Sequence, residues 1–142
     1  MTLWTHAHRQ DGFSLIEVLV VVLIVGLLAG IALTTLLPQQ AKGQDADAKS
    51  NARNVAGAVE TCNVEERDYR QCTAAAQLRD AGVKFGSAAG EVEVDASAST
   101  AYTVTAHSRS GTTFTFARAS SGGLSRGCSR SGQGGCRSDG HW

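Results

Sequence analysis

The sequence has little of what most enzymes and nucleic-acid-binding domains rely on. Aromatic residues make up 6% of its 142 residues, there is one proline, and the 13 lysines and arginines are balanced by 13 aspartates and glutamates. With no excess of positive charge, bulk nucleic-acid binding is not indicated. A short chain with few aromatic residues builds only a small core, and such domains often depend on covalent staples or on oligomerisation.

Motifs for catalysis are also missing. The sequence contains no G-x-S-x-G, no Walker-type phosphate loop and no H-E-x-x-H. His107 stands next to Ser108, but successive residues of a strand point to opposite faces. The sequence therefore predicts neither catalytic residues nor a cofactor, and indicates that the chain is not an enzyme.

The four cysteines lack the spacing of metal ligands. No two form a C-x-x-C pair, and none of the four histidines lies near them at zinc-finger spacing. Asp139 is the one carboxylate of the tail, whereas calcium needs several oxygen ligands, so no metal site is predicted. Two disulfides formed in an oxidising compartment are expected instead. Three pairings are possible, and the sequential one, Cys62–Cys72 with Cys128–Cys136, closes the shortest loops.

The sequence does contain one long apolar run. Val18 to Leu37 carries no charge, and at 1.5 Å per residue a helix of this length spans roughly 30 Å, the thickness of a bilayer core. The run is longer than the apolar core of a cleaved signal peptide, so it predicts a single-span anchor. His6, His8 and Arg9 precede it, which favours a cytoplasmic N-terminus and export of the remainder.

A carboxylate stands at the start of this run. Glu17 follows Phe13, Leu15 and Ile16 directly into the apolar segment. A charged side chain inside a membrane costs about 3 kcal/mol or more and is rare without a functional reason. Glu17 either marks the cytoplasmic interface or awaits a positively charged partner.

The residues around Glu17 carry a family resemblance. From Gly12 to Gly26 the chain reads GFSLIEVLVVVLIVG. This resembles the type IV prepilin signature, in which a Gly–Phe junction is followed by a glutamate at the fifth mature position of a long apolar helix. The signature is shared by type IV pilins and by the pseudopilins of type II secretion.

The resemblance implies a processing and assembly sequence. A prepilin peptidase would remove residues 1–12 by cutting between Gly12 and Phe13, and the new amino group of Phe13 would be N-methylated. Glu17 would then pair with the Phe13 amine of a neighbouring subunit. Mis-registered assembly would leave the carboxylate buried and unpaired.

The resemblance also implies a function and a location. The chain would be a structural subunit of a type IV pilus, a helical homo-oligomer used for adhesion, motility or DNA uptake. It would wait as a single-pass protein of the cytoplasmic membrane with its head exported, engage an assembly platform and end in an extracellular filament. The alternative is a pseudopilin in the short piston filament of a type II secretion system.

Three features around the apolar run depart from the family pattern or add to it. Asp11 precedes the cleavage site, where the family more often has a basic residue, and Thr34 stands where a proline is frequent. Pro38 lies one helical turn later, so the kink is expected there. Gly26 and Gly30 form a small-x-x-x-small pair, which predicts close helix packing.

The rest of the chain predicts a head built on a second helical half. Ala48, Ala52, Val55, Val59 and Cys62 recur at helical spacing and form a narrow apolar stripe. Further along, Thr73 followed by an alanine-rich run and Gly82 predicts a short helix. The predicted organisation is a leader (1–12), a membrane or filament-core helix (13–37) and a head (38–142), the head comprising an amphipathic helix (38–64), a connector (65–90), a sheet (91–127) and a C-terminal loop (128–142).

Period-two alternation predicts the sheet. Apolar residues alternate with polar ones around Val92 and Val94, around Val104, and around Phe114 and Phe116, with turn signals between the three groups. We expect three or four antiparallel strands whose apolar face covers the helix stripe. The fold class is α+β, resembling the ladle fold of type IV pilins with a disulfide-bounded C-terminal loop. Trp142 either folds back onto this head or extends into solvent.

Charge is unevenly distributed along the head. Acidic residues outnumber basic ones in residues 41–95, whereas residues 96–142 hold five arginines and one aspartate. The two surfaces would either meet between stacked subunits or include a DNA-contacting patch. The candidate patch consists of Arg118, Arg126, Arg130 and Arg137.

Overall fold

The computed structural model describes residues 12–78 and 81–142. The predicted leader lies outside these residues except for Gly12. The chain divides into two compact units, Met1–Leu36 and Leu37–Trp142, and we call the second unit the head. The secondary-structure elements are the helix α1 (Leu15–Glu66), a 3-10 turn (Tyr69–Gln71) and the strands β1 (Val92–Ala98), β2 (Ala101–His107), β3 (Thr113–Arg118) and β4 (Leu124–Cys128).

The large apolar side chains in the first part of α1 are exposed. From Phe13 to Leu37 the large apolar side chains are 46–83% exposed. In length and composition, α1 has a segment able to cross a membrane. The helix continues through Pro38 rather than ending there. Exposure of so much apolar surface is expected of a segment made for lipid or for other helices.

The part of α1 within the head packs on the sheet through the predicted stripe. Ala48, Ala52, Val55 and Val59 are buried, and Cys62 is packed against the same core. Small side chains on this face let the helix lie close to the strands, which supply the larger core residues Tyr102, Val104, Val92 and Phe114. The stripe predicted from sequence is therefore the packing face of the helix.

The four strands form one antiparallel sheet in the order β1-β2-β3-β4. Burial alternates along β2, as its period-two pattern predicts. Val104 pairs with Val94 on one side and with Phe116 on the other, so apolar residues align across the sheet. The prediction of an α+β fold with a long helix packed on a three- or four-stranded antiparallel sheet is confirmed, with four strands.

The predicted short helix after Thr73 is absent from the described part of the connector. Residues 75–77 form a turn in which the Gln77 side chain accepts the N–H of Ala74 at 3.2 Å, and Leu78 is buried. A single short helix is marginal on its own. Here the local side-chain hydrogen bond and the burial of Leu78 favour a turn; residues 79 and 80 lie outside the described chain.

Two disulfides tie the loops to these elements. Cys62 near the end of α1 is bonded to Cys72 just after the 3-10 turn, and Cys128 at the end of β4 is bonded to Cys136. The sequential pairing is thus the one present. The second disulfide closes the C-terminal loop predicted from sequence.

The disulfide Cys62–Cys72 gives a stability prediction. Replacing both cysteines by alanine frees a loop with a sequence separation of 10 residues. The free energy of unfolding is expected to fall by about 2–3 kcal/mol, since the cross-link restricts the unfolded chain. Urea denaturation of a soluble fragment, residues 37–142, followed by the fluorescence of its one tryptophan, Trp142, measures this. An unchanged midpoint and slope would contradict it.

Candidate processing and assembly site

The Gly12–Phe13 junction lies in exposed, non-helical chain just ahead of α1. Helix formation begins at Leu15 because the Ser14 carbonyl accepts the N–H groups of Glu17, at 3.0 Å, and Val18, at 3.2 Å. Ser14 is therefore the N-cap residue. A Cβ added to Gly12 would contact nothing within 4 Å. Residues 13–78 and 81–142 thus place no demand on glycine at this position.

Glu17 occupies the third residue of α1. Ser14 and Glu17 have the S-x-x-E spacing of a capping box, a further signal in the sequence for a helix that begins here. A carboxylate in the first helical turn is favoured by the positive end of the helix dipole. Within the described residues, Glu17 is exposed and pairs with no cation. It is therefore available for a cation from outside the chain.

The other predicted assembly residues lie further along α1. Gly26 and Gly30 have open space where a Cβ would be, so nothing in the described part of the chain requires their small size. Pro38 lies inside the helix and cannot donate a backbone hydrogen bond. Their role in helix packing remains a prediction about contacts between chains.

In the head, Asp45 connects three segments. Its carboxylate accepts hydrogen bonds from the hydroxyls of Ser108, at 2.7 Å, and Ser110, and from the N–H of Gly135 at 3.0 Å. Asp45 is 1% exposed, and the Lys49 ammonium donates to the Gly135 carbonyl. The neighbouring Gly134 has φ of +56°, and a Cβ there would collide with the carboxylate. The carboxylate thus fixes the β2–β3 turn and the C-terminal loop to α1.

These hydrogen bonds determine the ionisation of Asp45. Burial on its own would raise the pKa of the carboxyl group. The hydroxyls of Ser110 and Ser108, the N–H of Gly135 and the charge of Lys49 outweigh burial and lower the pKa below its ordinary value. Asp45 is therefore ionised in the folded head at neutral pH.

A second polar cluster surrounds Glu60. Its carboxylate accepts the phenolic O–H of Tyr69 at 2.8 Å and of Tyr102 at 3.0 Å, and lies 3.2 Å from Nε of Arg118. Burial, reinforced by the hydrogen bonds to Glu60, raises the pKa of both tyrosines. Both phenols therefore remain protonated donors across the physiological range. The cluster ties α1 to β2, β3 and the 3-10 turn.

Trp142 folds back onto the head. Its ring meets Phe114 edge-on at 6.1 Å between centroids, and its Nε1–H donates to the Thr115 carbonyl at 3.1 Å. The guanidinium of Arg53 lies 5.0 Å from the ring centroid. Of the two positions predicted for Trp142, the packed one is the one observed.

Comparison with known proteins shows what the chain is similar to. Residues 7–33 match the family described as the prokaryotic N-terminal methylation motif. The chain is 32% identical over 91 residues to the type IV major pilin protein PilA of Myxococcus xanthus (strain DK1622), covering 61% of this chain and 41% of that protein. It is 35% identical over 63 residues to the type IV major fimbrial protein FimA of Dichelobacter nodosus, covering 44% of this chain and 40% of that protein. No solved structure matches the chain.

The chain carries the prokaryotic N-terminal methylation motif and is similar to type IV major pilin and fimbrial proteins. The matched motif contains Gly12, Phe13, Glu17, Gly26 and Gly30, and the α+β fold with its disulfide-closed C-terminal loop agrees with it. The chain spans about two fifths of the length of the curated relatives it matches. These relatives are named as type IV major pilin and fimbrial proteins, and none of these names denotes an enzyme.

Three of the four arginines of the predicted basic patch have contacts within the head. Arg118 is paired with Glu60, and Arg137 lies 3.7 Å from Asp139. The guanidinium of Arg126 instead lies over the rings of Phe116 and Trp142. Arg118, Arg126 and Arg137 thus contact different groups, and DNA binding by the patch remains a prediction.

Residues 12–78 and 81–142 include no group of three or more histidine, cysteine, aspartate or glutamate side chains placed to hold a metal ion. Of the residues considered for metal binding, the four cysteines are all in disulfides. Asp139 accepts the N–H of His141 at 3.0 Å.

Proposed function

We propose that this chain is a structural subunit of a type IV pilus. Residues 1–12 are its leader, which a prepilin peptidase removes by hydrolysing the Gly12–Phe13 bond. The Phe13 amine is then N-methylated, and the subunit polymerises with copies of itself into a helical surface filament. Before assembly, the apolar part of α1 holds the subunit in the cytoplasmic membrane with the head exported, where an assembly platform engages it.

One observation carries the proposal. The large apolar side chains of α1 up to Leu37 are exposed, and Glu17 lies at the start of this segment without a cationic partner among the described residues. Water is an unfavourable environment for the exposed apolar side chains of this segment. Lipid accommodates those side chains but leaves the charge of Glu17 unpaired. A bundle of equivalent helices would bury the apolar side chains, and a cation supplied at the level of Glu17 would pair with its carboxylate.

Leader removal supplies that cation. Hydrolysis of the Gly12–Phe13 bond creates an α-amino group on Phe13, and monomethylation leaves that amine basic. The amine of one subunit and the carboxylate of the next can pair only when the two helices are displaced in the correct register. Any other register buries Glu17 unpaired, so the pair selects one assembly geometry.

The experiment that tests this proposal is mass spectrometry of filaments sheared from the cell surface. We expect this chain to be the dominant protein and its N-terminal peptide to begin at N-methylated Phe13. Processed chain confined to the membrane fraction would favour the pseudopilin instead. A chain that still begins at Met1 would contradict the proposal.

Gly12 gives a prediction about processing alone. The variant Gly12→Val is expected to slow leader removal roughly tenfold or more, which corresponds to about 1.4 kcal/mol in the activation barrier. The structure leaves room for a side chain at this position, so a loss would reflect recognition by the peptidase. The N-terminal mass of the membrane-bound chain measures it. Gly43→Ala, at another glycine with open space, is the matched control; unchanged processing of Gly12→Val would refute the cleavage site.

A further inference from the structure

A groove in the head combines apolar lining with cationic side chains. It lies between α1 and strands β2, β3 and β4 and has a volume of about 290 Å³. It is lined by Arg53, Ala56, Gly57, Glu60, Tyr102, Phe116 and Leu124. Leu124 is 59% exposed. A Cβ added to Gly57 would contact nothing within 4 Å. Glycine weakens a helix interior, and packing against the described residues does not explain why it stands here. We call this groove, together with the adjacent Arg126, the basic groove.

The two arginines of the basic groove are held in place but not neutralised. The guanidinium of Arg53 lies 5.0 Å from the centre of the Trp142 ring, and that of Arg126 lies 5.5 Å from the same ring and 5.7 Å from that of Phe116. Neither arginine forms an ion pair with an acidic side chain of the described chain. Stacking on aromatic rings orients a guanidinium while its N–H groups remain able to bind carboxylates.

The end of α1 has the opposite character. Glu65 and Glu66 are exposed in its last turn, which contains no basic residue, and Val64 is 79% exposed. Carboxylates at the C-terminal end of a helix are disfavoured by the helix dipole. Neither glutamate has an ion-pair partner within residues 12–78 and 81–142. We call Val64, Glu65 and Glu66 the acidic tip.

We propose that the basic groove of one subunit receives the acidic tip of a second copy of this chain. Val64 would enter the apolar part of the groove beside Gly57 and Leu124, while Glu65 and Glu66 would face the two arginines. The positive charges of the basic groove then face the negative charges of the acidic tip. Such charge complementarity fixes the register at interfaces. This inference rests on the proposed function and names one of its subunit contacts.

The positions of the two surfaces favour an open assembly. Both lie along α1, and Gly57 precedes Val64 by seven residues, roughly 10 Å of helix. Because the groove and the tip are different surfaces, their contact is heterologous and leaves a groove and a tip unoccupied at opposite ends of any chain of subunits. Repetition of such a contact between parallel, axially displaced copies builds a filament.

A carboxylate-bearing partner fits the groove better than a polyanion such as DNA. DNA binding draws on many cations arranged along a surface. The basic groove has two unpaired arginines, and Glu60 lines its other end, where it is paired with Arg118. Two arginines match the two glutamates of the acidic tip.

Charge reversal at the acidic tip tests the proposal in the full-length chain. The variant Glu65→Lys/Glu66→Lys is expected to keep leader removal and both disulfides while lowering the yield of sheared filaments at least roughly tenfold. Folding is not at risk, since lysine is favoured at the C-terminal end of a helix. The matched control is Glu93→Lys/Asp95→Lys, which makes the same charge change at exposed positions on β1 and is expected to assemble like wild type.

Two further variants identify the partner surface. Arg53→Glu/Arg126→Glu added to the tip variant restores opposite charges and is expected to recover at least half of the lost filament yield, by order of magnitude. Gly57→Leu fills the groove without changing charge, and we expect it to lower filament yield while the chain is still processed and disulfide-bonded. Recovery by the first and loss by the second would both support the pairing.

The outcomes separate this inference from the proposed function. If the wild-type chain is processed but absent from sheared filaments, the proposed function falls and this contact falls with it. Where the wild type assembles, normal yield of the tip variant overturns the contact alone. Equal losses in the tip variant and the β1 control, or no recovery on charge exchange, would also overturn it.

Discussion

The variant Glu17→Leu is expected to be processed normally and to yield at least roughly tenfold fewer sheared filaments than wild type. Leucine preserves the apolar helix and even removes the cost of placing a charge in the membrane, so membrane insertion is not impaired. The carboxylate that would face the Phe13 amine of the neighbouring subunit is lost. That amine would then enter the filament core without a counter-charge, which is strongly unfavourable.

Two comparisons make the Glu17 result specific. Glu17→Gln keeps the shape and the hydrogen-bonding capacity of the side chain but removes its charge, so it is expected to assemble as poorly as the leucine variant. Val18→Leu changes the adjacent exposed position without touching the charge and serves as the control. Immunoblots of the sheared and membrane fractions, with the N-terminal mass of each, give yield and processing together. Normal filaments from Glu17→Gln would show that charge pairing is not required.

The processing motif and the fold could be predicted because both depend on local patterns. The Gly12–Phe13 junction and Glu17 lie close together in sequence, and the matched motif covers them. The apolar stripe around Val55 and the alternation along β2 are periodic signals, and the core consists of those residues. Periodicity determines which face of an element is buried, and burial determines the fold class.

Contacts between distant segments could not be predicted in the same way. Asp45 is separated from Ser108 by 63 residues and from Gly135 by 90. In the sequence, Asp45 is one of several polar residues on the faces of the helix outside the apolar stripe. The arginines were likewise grouped by sequence position, whereas the structure pairs Arg118 with Glu60 and stacks Arg126 on aromatic rings. Neighbourhood along the chain says little about charges that the topology brings together.

The short helix predicted after Thr73 shows the opposite error. Its capping and composition signals were local and correctly read, but they are weak on their own. Cys72 is fixed by its disulfide and Leu78 is buried in the core, so the few residues between them must span a set distance. Tertiary constraints of this kind override helix propensity in short segments.

Asp45→Asn is expected to lower the free energy of unfolding of the head by about 3 kcal/mol at pH 7. The variant removes the negative charge near Lys49. The amide nitrogen of asparagine is a donor, so it cannot accept the hydrogen bonds that the carboxylate accepts from Ser108 and Gly135, and buried donors lose their partner. Trp142 contacts Phe114 and Thr115 of β3 and the guanidinium of Arg53 from α1, and its fluorescence reports urea unfolding of the fragment comprising residues 37–142. Asp47→Asn, on the same helix, is the matched control.

The pH dependence of this difference gives the sharper test. Because the pKa of Asp45 is lower in the folded head than in the unfolded chain, its contribution is fully present above the unfolded value, near 4. It is lost as the pH falls through the folded pKa, since the unfolded chain then binds the proton more readily. A hydrogen bond from Arg70 also lowers the pKa of Asp68, and one from the N–H of His141 lowers the pKa of Asp139. The stability of wild type and of the Asp45→Asn variant therefore falls in acid. The gap between wild type and Asp45→Asn is therefore expected to be largest at pH 7 and to narrow toward pH 3, and a constant gap would show that the buried carboxylate acts through shape rather than charge.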